Sequence, residues 1–131
     1  MGLIIDTNVF IQRERRGQTI DVSNWQVDGE VFISVVTLSE LLVGVHRADS
    51  ESRRVRRATF VEAILSRVTV LDFTSEIARV HAGLYAMLAQ PGQLIGAHDL
   101  IIAATALRYG FPVLTGNLAE FRRVPGLRVL S

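Results

Sequence analysis

Apolar residues along this chain come either as short continuous runs or at helical spacing, and the alternation between the two predicts its elements. Leu3-Ile4-Ile5 is a continuous run that stops abruptly at Asp6-Thr7-Asn8. A run apolar on both faces reads as a buried parallel strand, and the polar triplet as the turn leaving it. Val9 to Arg16 continues as a short helix stopped by Gly17. Ile20 to Gly29 is weakly patterned, with one helical turn expected around Trp25 and a turn at Asp28-Gly29. Val31 to Ser34 is a second buried strand, followed by a helix with Leu38, Leu41, Leu42 and Val45 on one face. A polar break from Ala48 to Ser52 precedes a third helix with the stripe Val61, Ile64, Leu65 and Val68, and Val68 to Leu71 is a short strand. Thr74 caps a long helix that turns Ile77, Val80, His81, Leu84 and Leu88 inward, until Pro91-Gly92 breaks it. After a loop to Gly96, a helix from about Ala97 to Tyr109 presents the small residues Ala103 and Ala106 for close packing, and Gly110 stops it. Phe111 to Leu114 is a buried strand ending in Thr115-Gly116-Asn117; a turn of helix over Leu118 to Arg122 and an edge strand from Leu127 to Leu130 complete the chain. Strands separated by helical segments predict a three-layer α/β/α domain with a central parallel sheet.

Composition narrows the class. At 131 residues a single domain, 1–131, is expected, large enough to bury a proper core. Hydrophobic content of 49% against 21% charge fits a soluble globular protein. No apolar stretch is long enough for a membrane span and no basic-then-apolar leader opens the chain, so no membrane partner and a cytoplasmic location are expected. The absence of cysteine excludes disulfides and thiolate metal sites. Net charge is only +1, so any contact with nucleic acid must come from local patches. All 14 basic residues are arginine, the better fork for phosphate.

Three carboxylates and one amide stand where the chain leaves strands or enters helices. Asp6 and Asn117 follow apolar strands, Glu40 lies in what reads as the first turn of the helix after the second strand, and Asp99 opens the helix after Gly96. In open α/β sheets the carboxyl ends of strands border the ligand crevice, so these side chains are expected to converge there. Each also has a local explanation. Asp6 or Thr7 can cap the following helix, Thr37-Leu38-Ser39-Glu40 has the form of a capping box, Asp99 suits a helix dipole, and Asn117 with Glu120 resembles another cap. Taken together they favour a site, because converging carboxylates repel one another unless a cation neutralises them. A cluster of hard oxygen donors suits Mg²⁺ or Mn²⁺, and the chemistry such ions serve is phosphodiester hydrolysis. His98 is expected to flank the site, His81 to sit in the core, and His46 to interact with a helix C-terminus.

The segments Leu3 to Asn8, Ser39 to Val45, Gly96 to Ala106 and Val113 to Asn117, in that order and followed by Arg123-Val124-Pro125-Gly126-Leu127, resemble the PIN domain and, more narrowly, the VapC toxins of bacterial toxin–antitoxin pairs. The resemblance implies a Mg²⁺- or Mn²⁺-dependent endoribonuclease acting on RNA and held inactive by a cognate VapB antitoxin. It matches Asp6, Glu40 and Asp99 to the family's metal ligands, and Thr7 and Thr115 to hydroxyls that hold water on the metal or phosphate. The family's fourth acidic position falls on Asn117, with Glu120 one helical turn on as a substitute. A homodimer is expected as well, since a mean hydropathy of +0.31 leaves apolar surface to bury.

Other strand-first enzymes fit less well. A haloacid dehalogenase phosphatase needs a second Asp where Asn8 stands, and it shares with response-regulator receivers a need for lysine, absent here. A dinucleotide-binding unit needs G-x-G-x-x-G after the first strand. The rival of a different class is a catalytically silent PIN scaffold that binds RNA or a protein partner, and Asn117 is what favours it. Of the arginine clusters, Arg13, Arg15 and Arg16 are expected to contact RNA, whereas Arg53, Arg54, Arg56 and Arg57 read equally well as a solvated helix face.

Overall fold

The computed structural model describes residues 2–18 and 29–131; the helical turn expected around Trp25, and Asp28, lie outside the described residues. The strands are β1 (Leu3–Ile5), β2 (Val31–Ser34), β3 (Thr69–Leu71), β4 (Val113–Leu114) and β5 (Val129–Leu130). The helices are α1 (Thr7–Arg15), α2 (Val35–His46), α3 (Glu51–Leu65), α4 (Ser75–Ala89), α5 (Ala97–Tyr109) and α6 (Leu118–Phe121). All strand pairs are parallel, in the order β3-β2-β1-β4-β5. The expected edge strand is therefore an edge strand, and the strand that opens the chain is the central one. From β1 the chain steps to β2 and β3 on one side, and later to β4 and β5 on the other. The order thus reverses between β1 and β4, the place where open α/β sheets form their ligand crevice.

Two separate cores cover the two faces. Ile4 and Val113 face a cluster with Ile77, Leu84, Leu100 and Phe121 from α4, α5 and α6. Ile5, Ile33 and Leu114 face the other, with Phe10 from α1, Leu41 from α2 and Ile64 from α3. Adjacent residues of β1 thus serve opposite layers, as a period of two requires. Ala103 and Ala106 are fully buried in α5, which packs closely on α4 as their size permits. Gly110 closes α5 in the left-handed region at φ 73°, its N–H turned back to the last turn of the helix. No helix among the described residues is long and apolar enough to cross a membrane.

Several boundaries differ from the sequence reading. Helix α1 starts at Thr7 rather than Val9, because Asp6 already has the extended conformation of an N-cap. Helix α2 springs directly from β2, capped by the Ser34 hydroxyl, which accepts from the Val36 N–H at 3.1 Å. The expected capping box at Thr37 to Glu40 therefore does not exist: Thr37 is inside the helix and Glu40 lies in its second turn. This phase also turns Leu42 outward, 37% exposed against 6% for Leu41, so Leu42 leaves the expected stripe and Thr37 joins the buried face. Strands β3, β4 and β5 are each shorter than their apolar runs. His81 is half-buried rather than in the core, its ring edge-on to Phe73 at 5.8 Å.

The phase of α2 predicts unequal costs for two neighbouring leucines. Leu41→Ala should destabilise by about 2–3 kcal/mol, as core truncations do, and Leu42→Ala by less than about 1 kcal/mol. Urea unfolding of the two variants reads the difference, and equal losses would put the helix in the wrong phase.

Candidate active site

The centre of the site follows from strand register. Ile5 pairs with Leu114, and the Asp6 N–H continues the ladder to the Leu114 carbonyl at 2.9 Å. One residue further along each strand, Asp6 and Thr115 therefore stand side by side at the crevice. The Thr115 hydroxyl donates to Asp6 Oδ2 at 2.8 Å and accepts from the Asn117 N–H at 2.8 Å. Asp6 is only 3% exposed, and although it occupies the N-cap position its side chain makes no capping hydrogen bond. Burial pushes its pKa above the usual carboxylate value. The Thr115 hydroxyl and the N–H groups at the start of α1 pull it back without cancelling that effect, and the Glu40 charge adds to the rise.

On the β2 side, Thr37 and Glu40 sit one turn apart on the same face of α2, toward α1. The Thr7 hydroxyl lies 2.7 Å from Glu40 Oε1 and 3.0 Å from the Thr37 hydroxyl. A hydroxyl has one proton, and the carboxylate can only accept. Thr7 therefore donates to Glu40, and Thr37 supplies the proton between the two threonines. The second Glu40 oxygen lies 3.4 Å from Nδ1 of His98, an exposed residue of the first turn of α5. His98 thus lies beside Glu40 and within α5 rather than in a loop. Thr37 was missed as a site residue; its only signal in the sequence is its position one turn before Glu40.

The third edge is α5 and the segment after β4. Asp99 stands in the first turn of α5, where a helix dipole alone would lower its pKa. Instead its pKa is pushed up to about 7, by burial first, then by proton sharing with Glu120 and by the charges of Asp6, Glu120 and Glu40. Glu120 moves the opposite way, held below the usual range chiefly by the hydrogen bond from Asp99. Below about pH 7 the pair therefore holds one proton, mostly on Asp99, and loses it as pH rises through neutrality. Asn117 is at the N-cap of α6 but makes no side-chain cap. Its side-chain amide donates to Glu120 Oε2 at 2.8 Å and reaches Asp99 Oδ2 at 3.4 Å. The expected Asn117–Glu120 cap is thus a side-chain clamp that turns Glu120 back toward Asp99.

Asp6, Glu40, Asp99 and Glu120 consequently feel one another at the carboxyl end of the sheet, with Thr7, Thr37, Thr115 and Asn117 between them. Among the described residues, no three acidic or imidazole side chains stand ready around a single point as a closed metal cage. The arginines after β1 divide. Arg15 lines the flank of α1 that faces Glu40, while Arg13 and Arg16 line the opposite flank, beside Thr115. Positions 11, 14 and 15 and positions 9, 12, 13 and 16 fall on opposite sides of a 3.6-residue helix, so the separation is set by helix phase.

A PIN domain family model matches residues 3–127. Ribonuclease VapC1 of Rickettsia felis is 39% identical over 131 residues, covering 100% of this chain and 96% of its own. A ribonuclease VapC of Rickettsia bellii is 40% identical, with the same coverage. The solved structure of VapBC2 from Rickettsia felis bound to a DNA fragment from its promoter contains a chain similar at a TM-score of 0.86, with 25% identity, over 98% of this chain and 97% of that one. A match spanning nearly the whole chain, together with relatives of this identity and length, shows the family: the chain belongs to the PIN domain family and, within it, to the VapC ribonucleases.

Proposed function

We propose that the protein is a divalent-metal-dependent endoribonuclease that hydrolyses RNA phosphodiester bonds, and that it is the toxin of a toxin–antitoxin pair. The observation that carries the metal-dependent reading is the convergence of Asp6, Glu40, Asp99 and Glu120 at the carboxyl end of the sheet, fixed by Thr115, Thr7 and Asn117 and close enough together that their charges raise the pKa of Asp99. Such a cluster holds negative charge that the protein itself leaves uncompensated. The donor set fits a hard cation, since every candidate ligand is an oxygen. Mg²⁺ and Mn²⁺ keep much of their own water, so carboxylates can hold such an ion partly through it and without a closed cage.

Asp6, Glu40 and Asp99 are the residues that would hold the ion. When bound, it supplies charge neutralisation for the phosphate and activation of the attacking water. The protein's own groups provide placement. Thr115 fixes the Asp6 carboxylate, and the Thr37–Thr7 chain fixes Glu40. Glu120 is the fourth carboxylate and Asn117 its positioning residue, through the 2.8 Å amide contact. This arrangement weighs against the silent-scaffold reading, which rested on the amide at position 117. A VapB-type antitoxin as partner follows by extension from the family and from the VapBC2 complex; a homodimer is proposed from the apolar surface that a mean hydropathy of +0.31 leaves to bury.

Asp6→Asn keeps an acceptor for Thr115 and removes the charge. Cleavage of an RNA panel under Mg²⁺ should fall roughly 100-fold or more, while the melting temperature of the metal-free protein holds or rises. Wild-type cleavage by this variant would refute the assignment. Glu120→Gln should lower cleavage and weaken Mn²⁺ binding by calorimetry about 10-fold, with little change in folding. Full activity in that variant would leave Glu120 a structural partner of Asn117.

The proton on Asp99 also sets a pH dependence in EDTA. Its folded pKa of about 7 lies above the ordinary value of 3.8, so between these limits the folded state binds a proton that the unfolded state has lost. Asp99's contribution to stability is therefore greatest in acid and is lost as pH rises through this window. For a half-exposed pair, solvent screening reduces the effect to about 1–2 kcal/mol. Asp99→Asn should flatten the profile of melting temperature against pH and raise its neutral end. An unchanged slope in the variant would place the proton elsewhere.

A further inference from the structure

The two arginine clusters that are separate in sequence meet in space. Arg15, from the last turn of α1, and Arg53, Arg56, Arg57 and Phe60, from α3, line a cavity of about 580 Å³ between the two helices. A smaller hollow of about 170 Å³ shares Glu14, Arg15 and Arg57 with it and has Glu40 in its wall. The two hollows are therefore neighbours with Glu14, Arg15 and Arg57 as their common wall, and the basic well lies beside the hollow that has Glu40 in its lining.

The charges in the groove are not all matched. Arg53 is engaged by Asp49 at 3.0 Å. Arg57 is fixed between the Glu14 carboxylate, at 3.5 Å, and the Gly44 carbonyl, at 2.9 Å, so it ties α1, α2 and α3 together. Arg15 and Arg56 have no ion-pair partner among the described residues. Guanidinium groups converging on one cavity without counter-charge favour an anion, and their forked donors fit phosphate.

We propose that this α1–α3 groove is a substrate subsite, in which the single-stranded RNA next to the scissile phosphate seats its backbone on Arg15 and Arg56. The inference rests on the ribonuclease reading of the acidic site. A polymer whose reacting phosphate lies among the carboxylates must leave that site along the surface, and this groove carries charge of the opposite sign to the strand. An acidic peptide would meet the same arginines but would be repelled at the Glu40 end, whereas the reacting phosphate is drawn there by the cation. A cavity of about 580 Å³ has room for a nucleotide. Phe60 gives it an apolar wall on which a base can stack.

The test uses the full-length Arg15→Gln/Arg56→Gln variant, which keeps most of each side-chain stem and breaks no ion pair among the described residues. Arg79→Gln, on the exposed side of α4, is the charge-matched control. Binding of a short fluorescein-labelled single-stranded RNA is measured in EDTA over a salt series, and cleavage separately under Mg²⁺. The double variant should bind roughly 10-fold more weakly, with the slope of log affinity against log salt reduced by about 1.4 for two lost phosphate contacts. In cleavage it should raise KM and leave kcat within about twofold, because the lost contacts are made equally in ground and transition states. Arg79→Gln should match the wild type. Affinity and salt slope equal to the wild type's would overturn the subsite and leave the ribonuclease reading standing, and so would a variant that loses only the binding of a protein partner. Arginine-dependent RNA binding by a wild-type protein that cuts no RNA would do the reverse.

Discussion

The constraint on which the structure turns is the crowding of like charges in a partly dehydrated corner. Four carboxylates from four chain segments meet where β1 and β4 end, and Asp6 is almost completely buried. Neither burial nor mutual repulsion favours folding, so the arrangement must be held by interactions remote from it. The two apolar cores do this. Ile4 and Ile5 lock β1 between the layers at full burial, and Asp6 is the next residue along the same backbone. The central strand is the most strongly anchored element available, and it is the one that carries the carboxylate most costly to bury.

Hydroxyl groups make the crowding tolerable at short range. Thr7, Thr37 and Thr115 are buried, and each bonds to a carboxylate or to another hydroxyl that does. A threonine hydroxyl donates to an ionised oxygen without adding a charge, so it fixes a carboxylate while leaving its charge free for a cation. Arginine in the same places would have neutralised the cluster. That the basic residues stand on the flanks of α1 and on α3 is the complementary half of this separation.

Much of the fold was legible in the sequence because burial on both faces leaves a simple record. The runs at Leu3 to Ile5 and Val31 to Ser34 are uninterrupted, and Asp6 marks the end of the first without ambiguity. What was not legible depended on contacts across long sequence distances or on helix phase. Thr37 to Glu40 satisfies a capping rule locally, yet Ser34 starts the helix one turn earlier, since β2 passes into α2 without a loop. Once that start is known, the exposure of Leu42 and the meeting of Thr37 with Thr7, 30 residues away, both follow. Asn117 and Glu120 read as a cap or as site residues with equal ease. Asp99, 18 residues before Asn117, makes the difference, because its proton gives Glu120 something to accept. The arginines posed the same difficulty: their joining across α1 and α3 belongs to tertiary packing, and no local pattern encodes it.

The near-zero net charge now takes on a physical meaning. A net charge of +1 gives little long-range attraction for a polyanion. The molecule instead has an acidic centre with basic flanks, a field that changes sign over the length of one short helix. At physiological ionic strength the Debye length is about 8 Å, shorter than the roughly 13 Å rise of the nine-residue α1, so the change of sign is felt locally, most sharply where Arg15 and Glu40 line one hollow. On the proposed reading a strand of RNA would be sorted along its length: flanking phosphates would be favoured at the arginines, and a phosphate among the carboxylates only with a cation beside it. On that reading, the register of the substrate would come from the spacing between the basic and acidic regions, and that spacing is set by a helix held at its start by Asp6 and Thr7 and at its end by the Glu14–Arg57 pair.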